Sequence, residues 1–146
     1  MIKIPTKILL VDDEKDFVEI LAMRLTEAGE NVTAAYNGQE CLNKLKEDDY
    51  DVVILDIKMP GMDGIVTLRQ IKQQAPLVEV ILLTGHGTTQ TAVEGMKLGA
   101  YDYLLKPAEF EDLAVKLEGA RKKKEEQQER IRKAEARLLL RIGGNI

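Results

Sequence analysis

The stretch Val52-Val53-Ile54-Leu55-Asp56-Ile57-Lys58-Met59-Pro60-Gly61-Met62-Asp63-Gly64 decides the fold. Four apolar residues run directly into one aspartate, and a Pro-Gly turn follows. A continuous apolar run bounded by a turn is typical of a strand buried on both faces of a parallel sheet. Asp56 then lies at the carboxyl end of a central strand, where open α/β sheets place their ligands.

The rest of the chain repeats this pattern of short apolar strands, with helical spacing between them. The predicted strands cover 7–11, 32–36, 51–55, 78–83 and 101–105, and the helices that follow them end near residues 28, 47, 76, 98 and 142. Strands that alternate with helices at this spacing predict an α/β, doubly wound parallel sheet with helices on both faces. For five strands the expected order is the flavodoxin-like 2-1-3-4-5, here with an elongated C-terminal helix.

Composition narrows the class of protein. The 146 residues include a single cysteine, Cys41, so no intrachain disulfide framework is expected. Neither a secretory signal nor an apolar run of about 18 residues is present, so we predict a cytoplasmic protein with no membrane partner. The net charge of −4 conceals a basic segment at 116–141, and the acidic remainder needs a cation if it is to bind phosphate.

Polar residues stand at the carboxyl ends of four adjacent predicted strands. Strand one is followed by Asp12 and Asp13, strand three by Asp56 and strand five by Lys106, while strand four ends at Thr84. Two carboxylates about 4 Å apart repel by about 4 kcal/mol at an effective dielectric of 20. A hard divalent cation removes this cost, so we expect Mg²⁺, with Mn²⁺ as a substitute. A metal, a lysine and a hydroxyl beside one aspartate predict phosphoryl transfer to Asp56.

These residues resemble the receiver domain of two-component response regulators, which has the CheY-like form of this fold. The resemblance covers roughly residues 5–121. It is carried by Asp12-Asp13, by Asp56 before Met59-Pro60-Gly61-Met62-Asp63-Gly64, by Thr84-Gly85, by Tyr103 and by Lys106-Pro107. It implies that Asp56 accepts a phosphoryl group from the phosphohistidine of a sensor histidine kinase or phosphotransfer protein. It also implies that Asp13 binds Mg²⁺ directly, that Asp12 helps through water, and that the backbone carbonyl of Lys58 completes the protein ligands.

The resemblance assigns further roles on strands four and five. Lys106 pairs with the phosphoryl group, and its bond to Pro107 is expected to be cis. Thr84 and Tyr103 form a switch pair, in which Thr84 moves toward the phosphoryl group and Tyr103 turns inward. The surface of helix four, strand five and helix five then carries the change to an output protein or to an effector domain outside this chain. The same surface could also pair two copies of the chain.

Other readings depend on the residues around this site. Lys58 and His86, two positions beyond Asp56 and Thr84, flank the site and are expected to tune dephosphorylation. A Mg²⁺-dependent phosphohydrolase of similar fold is the main alternative, but it would carry a second aspartate at position 58. A nucleotide- or flavin-binding module on the same fold needs a glycine-rich loop after strand one, but the acidic run Asp12-Asp13-Glu14 stands there and disfavours phosphate binding by that loop. A receiver-like domain without phosphoacceptance has no support, because the acceptor, metal and clamp residues are all present.

The C-terminal segment is unusual for this family, because helical composition continues from about Glu109 to Ile142. Nine positions from 113 to 141 follow a 4-3 spacing, but Lys124, Gln127 and Arg141 interrupt its apolar seam. The helix either extends into solvent or pairs with a partner or a second copy. Direct nucleic-acid binding is not expected, since glutamates offset the basic cluster. We divide the chain into a receiver domain, 1–121, and a charged helical extension or linker, 122–146.

Overall fold

The computed structural model describes residues 4–58, 63–85 and 89–143. They form one five-stranded parallel sheet in the order β2-β1-β3-β4-β5, with an α-helix after each strand. The strands are β1 (Lys7–Val11), β2 (Asn31–Ala35), β3 (Val52–Leu55), β4 (Glu79–Thr84) and β5 (Asp102–Leu105), and the helices are α1 (Lys15–Glu27), α2 (Gly38–Glu47), α3 (Gly64–Gln74), α4 (Thr89–Lys97) and α5 (Phe110–Gly143). The predicted fold class, strand order and long last helix are confirmed.

Six strand boundaries, at both ends of β2 and β4 and at the starts of β3 and β5, differ from the predicted ones by one residue. The prediction started β4 at Val78, but that residue closes the preceding turn, where its N–H donates to the carbonyl of Ala75. β4 extends instead to Thr84, which pairs with Leu105 of β5. β2 likewise begins at Asn31, which pairs with Lys7. Register with the neighbouring strand, which the sequence pattern does not contain, sets these limits.

Alternate residues of the strands build two separate cores. Leu9, Val53 and Leu82 face the side covered by α2 and α3. Their neighbours Ile8 and Ile54 face α1 and α5 on the other side. Because side chains alternate across a strand, a strand buried on both faces must be apolar throughout. The central strand β3 therefore reaches the carboxyl edge of the sheet with no polar residue before Asp56.

The helix α5 is 34 residues long and packs on the body through only its first part. Its inward face consists of Leu113, Leu117, Ala120 and Lys124. Gly119 lies beside this face, where a Cβ atom would come within 2.2 Å of the Tyr101 hydroxyl oxygen. The glycine is a place of close approach between α5 and the residue that precedes β5.

We expect Gly119→Ala to lower the free energy of unfolding by about 1 kcal/mol, although alanine is the better helix former by a similar amount. The methyl group must displace the Tyr101 ring, and that cost exceeds the gain in helix propensity. In a Tyr101→Phe background, where the hydroxyl oxygen is gone, the same substitution should cost less. Urea unfolding of the four proteins measures both effects. An equal effect in the two backgrounds would contradict the close approach.

Lys124 does not interrupt the inward face of α5 in the way the sequence suggested. It is 7% exposed, and its Nζ donates to the carbonyl of Tyr50 at 2.9 Å and to Asp51 Oδ1 at 3.1 Å. The neighbouring Lys123 lies 3.6 Å from the buried Glu79. These contacts join α5 to the amino-terminal ends of β3 and β4. Helix packing on the body thus continues past residue 121, the predicted end of the receiver domain, and the division at that point stays a prediction.

We expect Lys124→Ala to lower the free energy of unfolding by about 1–3 kcal/mol, because it removes two charge-assisted hydrogen bonds at a buried position. The matched control is Lys122→Ala, since Lys122 is exposed on the same turn and should change stability by less than about 0.5 kcal/mol. Chemical denaturation of both variants tests the difference. Equal effects would show that the Lys124 contacts do not hold the helix.

Within the described residues, no helix combines the length and the apolar content needed to cross a bilayer.

Candidate functional site

The carboxyl edge of the sheet brings the predicted strand-end residues together. Val11 of β1 and Leu55 of β3 are paired in register, so Asp12 and Asp56 follow side by side. The ladder continues one step further, since the Asp56 N–H donates to the carbonyl of Val11 at 3.0 Å. Two strands away, the Lys106 N–H donates to the carbonyl of Thr84 at 2.9 Å. Backbone pairing therefore fixes the Cα positions of Asp12, Asp56 and Lys106.

Three carboxylates form a cluster at this edge. Asp12, Asp13 and Asp56 each offer one oxygen atom, and these atoms lie within 4.8 Å of one another. Asp12 is 1% exposed and Asp56 is 2% exposed, whereas Asp13 is exposed. A set made only of carboxylate oxygens suits a hard divalent cation such as Mg²⁺. The acidic rim predicted from the strand ends is present and could bind a metal.

Lys106 lies across the cluster. Its Nζ is 2.6 Å from Asp12 Oδ2 and 3.9 Å from Asp56 Oδ2. It also lies 3.4 Å from Glu14 Oε1 and 4.1 Å from the centre of the Phe17 ring. One ammonium among three aspartates leaves two negative charges uncompensated, which again favours a divalent cation.

The pKa values of Asp12 and Lys106 are shifted by burial and by the neighbouring charges. Burial raises the pKa of Asp12, and the negative charge of Asp56 adds to this, although the hydrogen bond from Lys106 acts in the opposite direction. Burial alone would lower the pKa of Lys106, but its hydrogen bond to Asp12 and the nearby carboxylates raise it above the ordinary value. Lys106 is thus held in its charged form. A metal ion would oppose protonation of Asp12.

The hydrogen bonds of Asp12 bear on how the carboxylates could share a metal. Its Oδ1 accepts from the Glu14 N–H at 3.0 Å, while Oδ2 is held by Lys106. Both oxygens therefore already have partners. This arrangement favours direct binding by Asp13 and Asp56, with Asp12 in a supporting position, and the assignment stays a prediction.

The loop after β3 is shaped by a close backbone approach. The Gly64 N–H donates to the carbonyl of Ile57 at 2.6 Å, and a Cβ at Gly64 would lie 2.4 Å from the Asp56 carbonyl oxygen. Only glycine fits there, because the nearest atoms are backbone. Asp63 caps α3 by accepting from the Val66 N–H at 2.9 Å.

The Lys58 N–H donates to Asp56 Oδ1 at 3.3 Å, and this contact orients the carboxylate. The Lys58 side chain is exposed and leaves no second carboxylate at position 58. Residues 59–62 of the motif lie outside the described residues, as does His86. The metal-ligand role of the Lys58 carbonyl and the tuning roles of Lys58 and His86 stay predictions.

Thr84 and Tyr103 lie on the same face of the sheet. Thr84 pairs with Leu105, and Tyr103 is two residues earlier on the same strand. Thr84 is buried, while Tyr103 is 42% exposed. The two side chains are therefore diagonal neighbours on the side that α4 covers, where Gly95 packs on Leu82. Their position is compatible with a switch pair, a role that stays a prediction.

Further features lie around the Thr84–Tyr103 pair and Lys106. The peptide bond between Lys106 and Pro107 is cis. Exposed apolar side chains spread over α4, β5 and α5, namely Val93, Met96, Tyr103, Leu105 and Val115. Exposed apolar residues that cluster on a surface often mark an interaction site.

Two contacts of Lys106, with Glu14 and Phe17, were not predicted from the sequence. Glu14 belongs to the acidic run after strand one, and this run was the only available signal. Phe17 read as one more residue of the first helix. Its position under the Lys106 ammonium depends on the angle at which α1 leaves β1, and sequence spacing does not encode that angle.

The fold and the acidic rim define a doubly wound α/β domain with a metal-compatible aspartate at its central strand. A family model described as the response regulator receiver domain matches residues 8–118, well over half of the chain. The chain belongs to this family, and it is a receiver domain of the two-component signalling class.

Several named proteins and solved structures are similar to this chain. The transcriptional regulatory protein ZraR of Escherichia coli K12 is 42% identical over 113 residues, which are 77% of this chain and 26% of that protein. The structure of NtrX from Brucella abortus in complex with ADP has a TM-score of 0.81 and 32% identity, covering 86% of this chain and 29% of that one. A CheY-like receiver domain protein from Methanospirillum hungatei JF-1 gives a TM-score of 0.81 at 27% identity, covering 85% of this chain and 99% of that one. The chain spans about a quarter of the length of the curated relatives that it matches.

Proposed function

We propose that Asp56 accepts a phosphoryl group from the phosphohistidine of a sensor histidine kinase or a phosphotransfer protein. The observation that carries this proposal is the position of Asp56. It is buried at the end of the central strand, within 4.8 Å of two other carboxylates and 3.9 Å from the Lys106 ammonium. The single Lys106 ammonium does not balance the charge of three carboxylates at one edge, and a buried, incompletely neutralised cluster of titratable groups is typical of a functional site.

The chemical step needs no other protein base. A carboxylate oxygen of Asp56 forms a bond to phosphorus while the N–P bond of the phosphohistidine breaks. The electron pair of that bond returns to the imidazole nitrogen, and the product is an aspartyl phosphate. Because a carboxylate has no proton to lose, positioning and charge stabilisation supply the catalysis.

Asp12, Asp13 and Asp56 would hold Mg²⁺, together with the carbonyl of Lys58. When bound, the ion supplies positive charge to the phosphoryl oxygens. Lys106 acts beside it as a mobile point charge. Its ammonium now shares Asp12 and Asp56, and its four-carbon stem allows it to move to a phosphoryl oxygen. Thr84, buried at the end of β4, donates its hydroxyl to another oxygen of the same group.

The phosphoryl group would bias a two-state element. Thr84 moves toward the new charge, and Tyr103, half-exposed on the adjacent strand, turns into the space on the same face of the sheet. The exposed apolar surface of α4, β5 and α5 then changes shape for a partner. The partner is a separate output protein or an effector domain of a longer chain. We assign no direct nucleic-acid binding to the residues of this chain.

We further propose that the receiver unit comprises residues 1–121 and that 122–146 form a charged helical extension or linker. The unit acts in the cytoplasm and promotes only its own phosphorylation and dephosphorylation, with no turnover of an external substrate. Lys58 and His86 flank the phosphoryl site and would set the lifetime of the label.

Incubation with phosphoramidate, a small N–P phosphodonor, tests this function. We expect the intact mass to rise by one phosphoryl group per chain in Mg²⁺ and to stay unchanged in excess chelator. A phosphohydrolase would instead consume many equivalents of a phosphoester. Sustained turnover, or no mass gain in Mg²⁺, would contradict the proposal.

A further inference from the structure

Phe17, in the first turn of α1, lies against the ammonium group of Lys106. The Lys106 Nζ is 4.1 Å from the centre of the ring. This distance is well within the roughly 6 Å at which the face of an aromatic ring attracts a cation. The Lys106 side chain is only 14% exposed, so water weakens this attraction less than it would at an open surface. The ring therefore contacts the charged group that faces the phosphoryl acceptor.

The ammonium contacts the ring and two buried carboxylates at once. Its Nζ is 2.6 Å from Asp12 Oδ2 and 3.9 Å from Asp56 Oδ2. The bond to Asp12 fixes the distance to one oxygen, but it leaves a flexible four-carbon stem free to rotate about that oxygen. The ring of Phe17 adds a second point of contact that limits this rotation. Together the two contacts keep the positive charge next to the nucleophile.

Two other positions are open to the Lys106 side chain. Glu14 Oε1 is 3.4 Å from Nζ, and the Glu14 side chain is 61% exposed, so an ammonium drawn to it moves toward solvent. A cavity of about 140 Å³ also lies along the lysine stem, and Phe17 and Ala108 are among the residues that line it. A long side chain beside open space takes up several rotamers unless a contact selects one. Without the ring, we expect the ammonium to leave Asp56 for part of the time.

The turn that orients Asp12 also places the ring. Asp12 Oδ1 accepts from the Glu14 N–H at 3.0 Å, and the Glu14 carbonyl accepts from the Val18 N–H at 3.0 Å. Val18, the residue after Phe17, is 1% exposed and belongs to the core on that side of the sheet. The start of α1 is thus anchored on both sides of Phe17, and the ring is in place before a phosphoryl donor arrives. Preorganised groups of this kind need no rearrangement at the moment of reaction.

We propose that Phe17 is a positioning residue for phosphoryl transfer, because the face of its ring keeps the Lys106 ammonium beside Asp56. This role rests on the proposed function, since the ring acts on the reaction only through Lys106. A neutral ring attracts the ammonium without accepting its strong hydrogen bonds. The N–H groups of Lys106 therefore stay available for a phosphoryl oxygen, whereas a carboxylate such as that of Glu14 would occupy them.

Labelling of Asp56 by phosphoramidate in Mg²⁺ measures the effect of the ring. Phe17→Leu should lower the labelling rate about three- to tenfold, which corresponds to the strength of a partly buried contact between a cation and a ring. Phe17→Tyr should keep a rate near that of the wild type, because it retains an aromatic face. The matched control is Phe110→Leu, since Phe110 lines the same cavity but its ring contacts Arg24, 4.5 Å from the guanidinium carbon. This control should be labelled at the wild-type rate.

Two further readouts separate positioning from a general effect on the fold. In a Lys106→Ala background, Phe17→Leu should change the remaining labelling rate by less than about twofold, because the lysine through which the ring acts is gone. NMR spectra of the unphosphorylated protein report the contact itself, because a proton over the face of an aromatic ring is shielded. The Lys106 ε-methylene protons should be shifted to high field. Phe17→Leu should remove this shift, and Phe110→Leu should retain it.

The outcomes separate this role from the proposed function. If the wild type takes up the label at Asp56 and Phe17→Leu is labelled equally fast, the positioning role is wrong and phosphoacceptance stands. Equal slowing by Phe17→Leu and Phe110→Leu overturns the role, and so does a full effect of Phe17→Leu in the absence of Lys106. A high-field shift that persists in Phe17→Leu overturns the contact. A wild type that takes up no label contradicts the proposed function and the positioning role together.

Discussion

The Asp56→Asn substitution is expected to abolish phosphoryl transfer to the protein. An amide nitrogen or oxygen is a far poorer nucleophile than a carboxylate, and loss of an essential nucleophile costs a factor of about 10³ or more in rate. The amide also removes one negative charge from the group of three aspartates, which weakens metal binding. Intact mass spectrometry after exposure to phosphoramidate and Mg²⁺ should show no labelled chain on the time scale at which the wild type is fully labelled.

The matched control is Asp112→Asn, because Asp112 is an exposed aspartate in the first turn of α5. It should be labelled at the wild-type rate. Circular dichroism should show both variants folded, since asparagine has nearly the same size as aspartate. Labelling of Asp56→Asn at a rate near that of the wild type would place the acceptor at another residue.

The Lys106→Ala substitution is expected to slow labelling by about 10²–10³-fold, which is typical for the loss of one preorganised charge at a reacting group. The affinity for Mg²⁺ should not fall together with the labelling rate. The ammonium lies 2.6 Å from Asp12 Oδ2 and competes with a cation for the same carboxylates. Its removal leaves the cluster more negative, so the affinity for Mg²⁺ should rise or stay unchanged. Calorimetric titration with Mg²⁺ measures the affinity, and the time course of labelling measures the rate.

Lys97→Ala serves as the control, since Lys97 is exposed at the end of α4 and should alter neither quantity. If Lys106→Ala lost Mg²⁺ affinity in parallel with the labelling rate, the lysine would act through the structure of the site. If the labelling rate were unchanged, Lys106 would not contact the phosphoryl group.

Asp12, Asp56, Thr84 and Lys106 could be predicted because each directly follows an apolar run at the carboxyl end of a strand. The change from Leu55 to Asp56 marks the edge of the sheet directly, and the parallel order then brings the strand ends together. Residues whose backbone position is set by the sheet ladder are the ones that sequence spacing can locate.

The features that the sequence pattern missed depend on how helices cross the sheet. Lys124 interrupts the 4-3 spacing of apolar residues in the sequence, yet it is buried where α5 crosses the start of β3. Gly119 is the point where Tyr101 meets the helix, and the spacing of apolar residues along α5 does not indicate this contact. Neither contact can be derived from spacing along one element, because both depend on the distance and angle between two elements.

The central claim is that the acidic edge binds Mg²⁺ and that this allows Asp56 to carry a phosphoryl group. The most direct measurement is residue-level localisation of the phosphoryl group by peptide mapping, after labelling with and without Mg²⁺. We predict that the label is found on Asp56 alone and only when the metal is present. A label on any other residue, or the same labelling in excess chelator, would contradict the account.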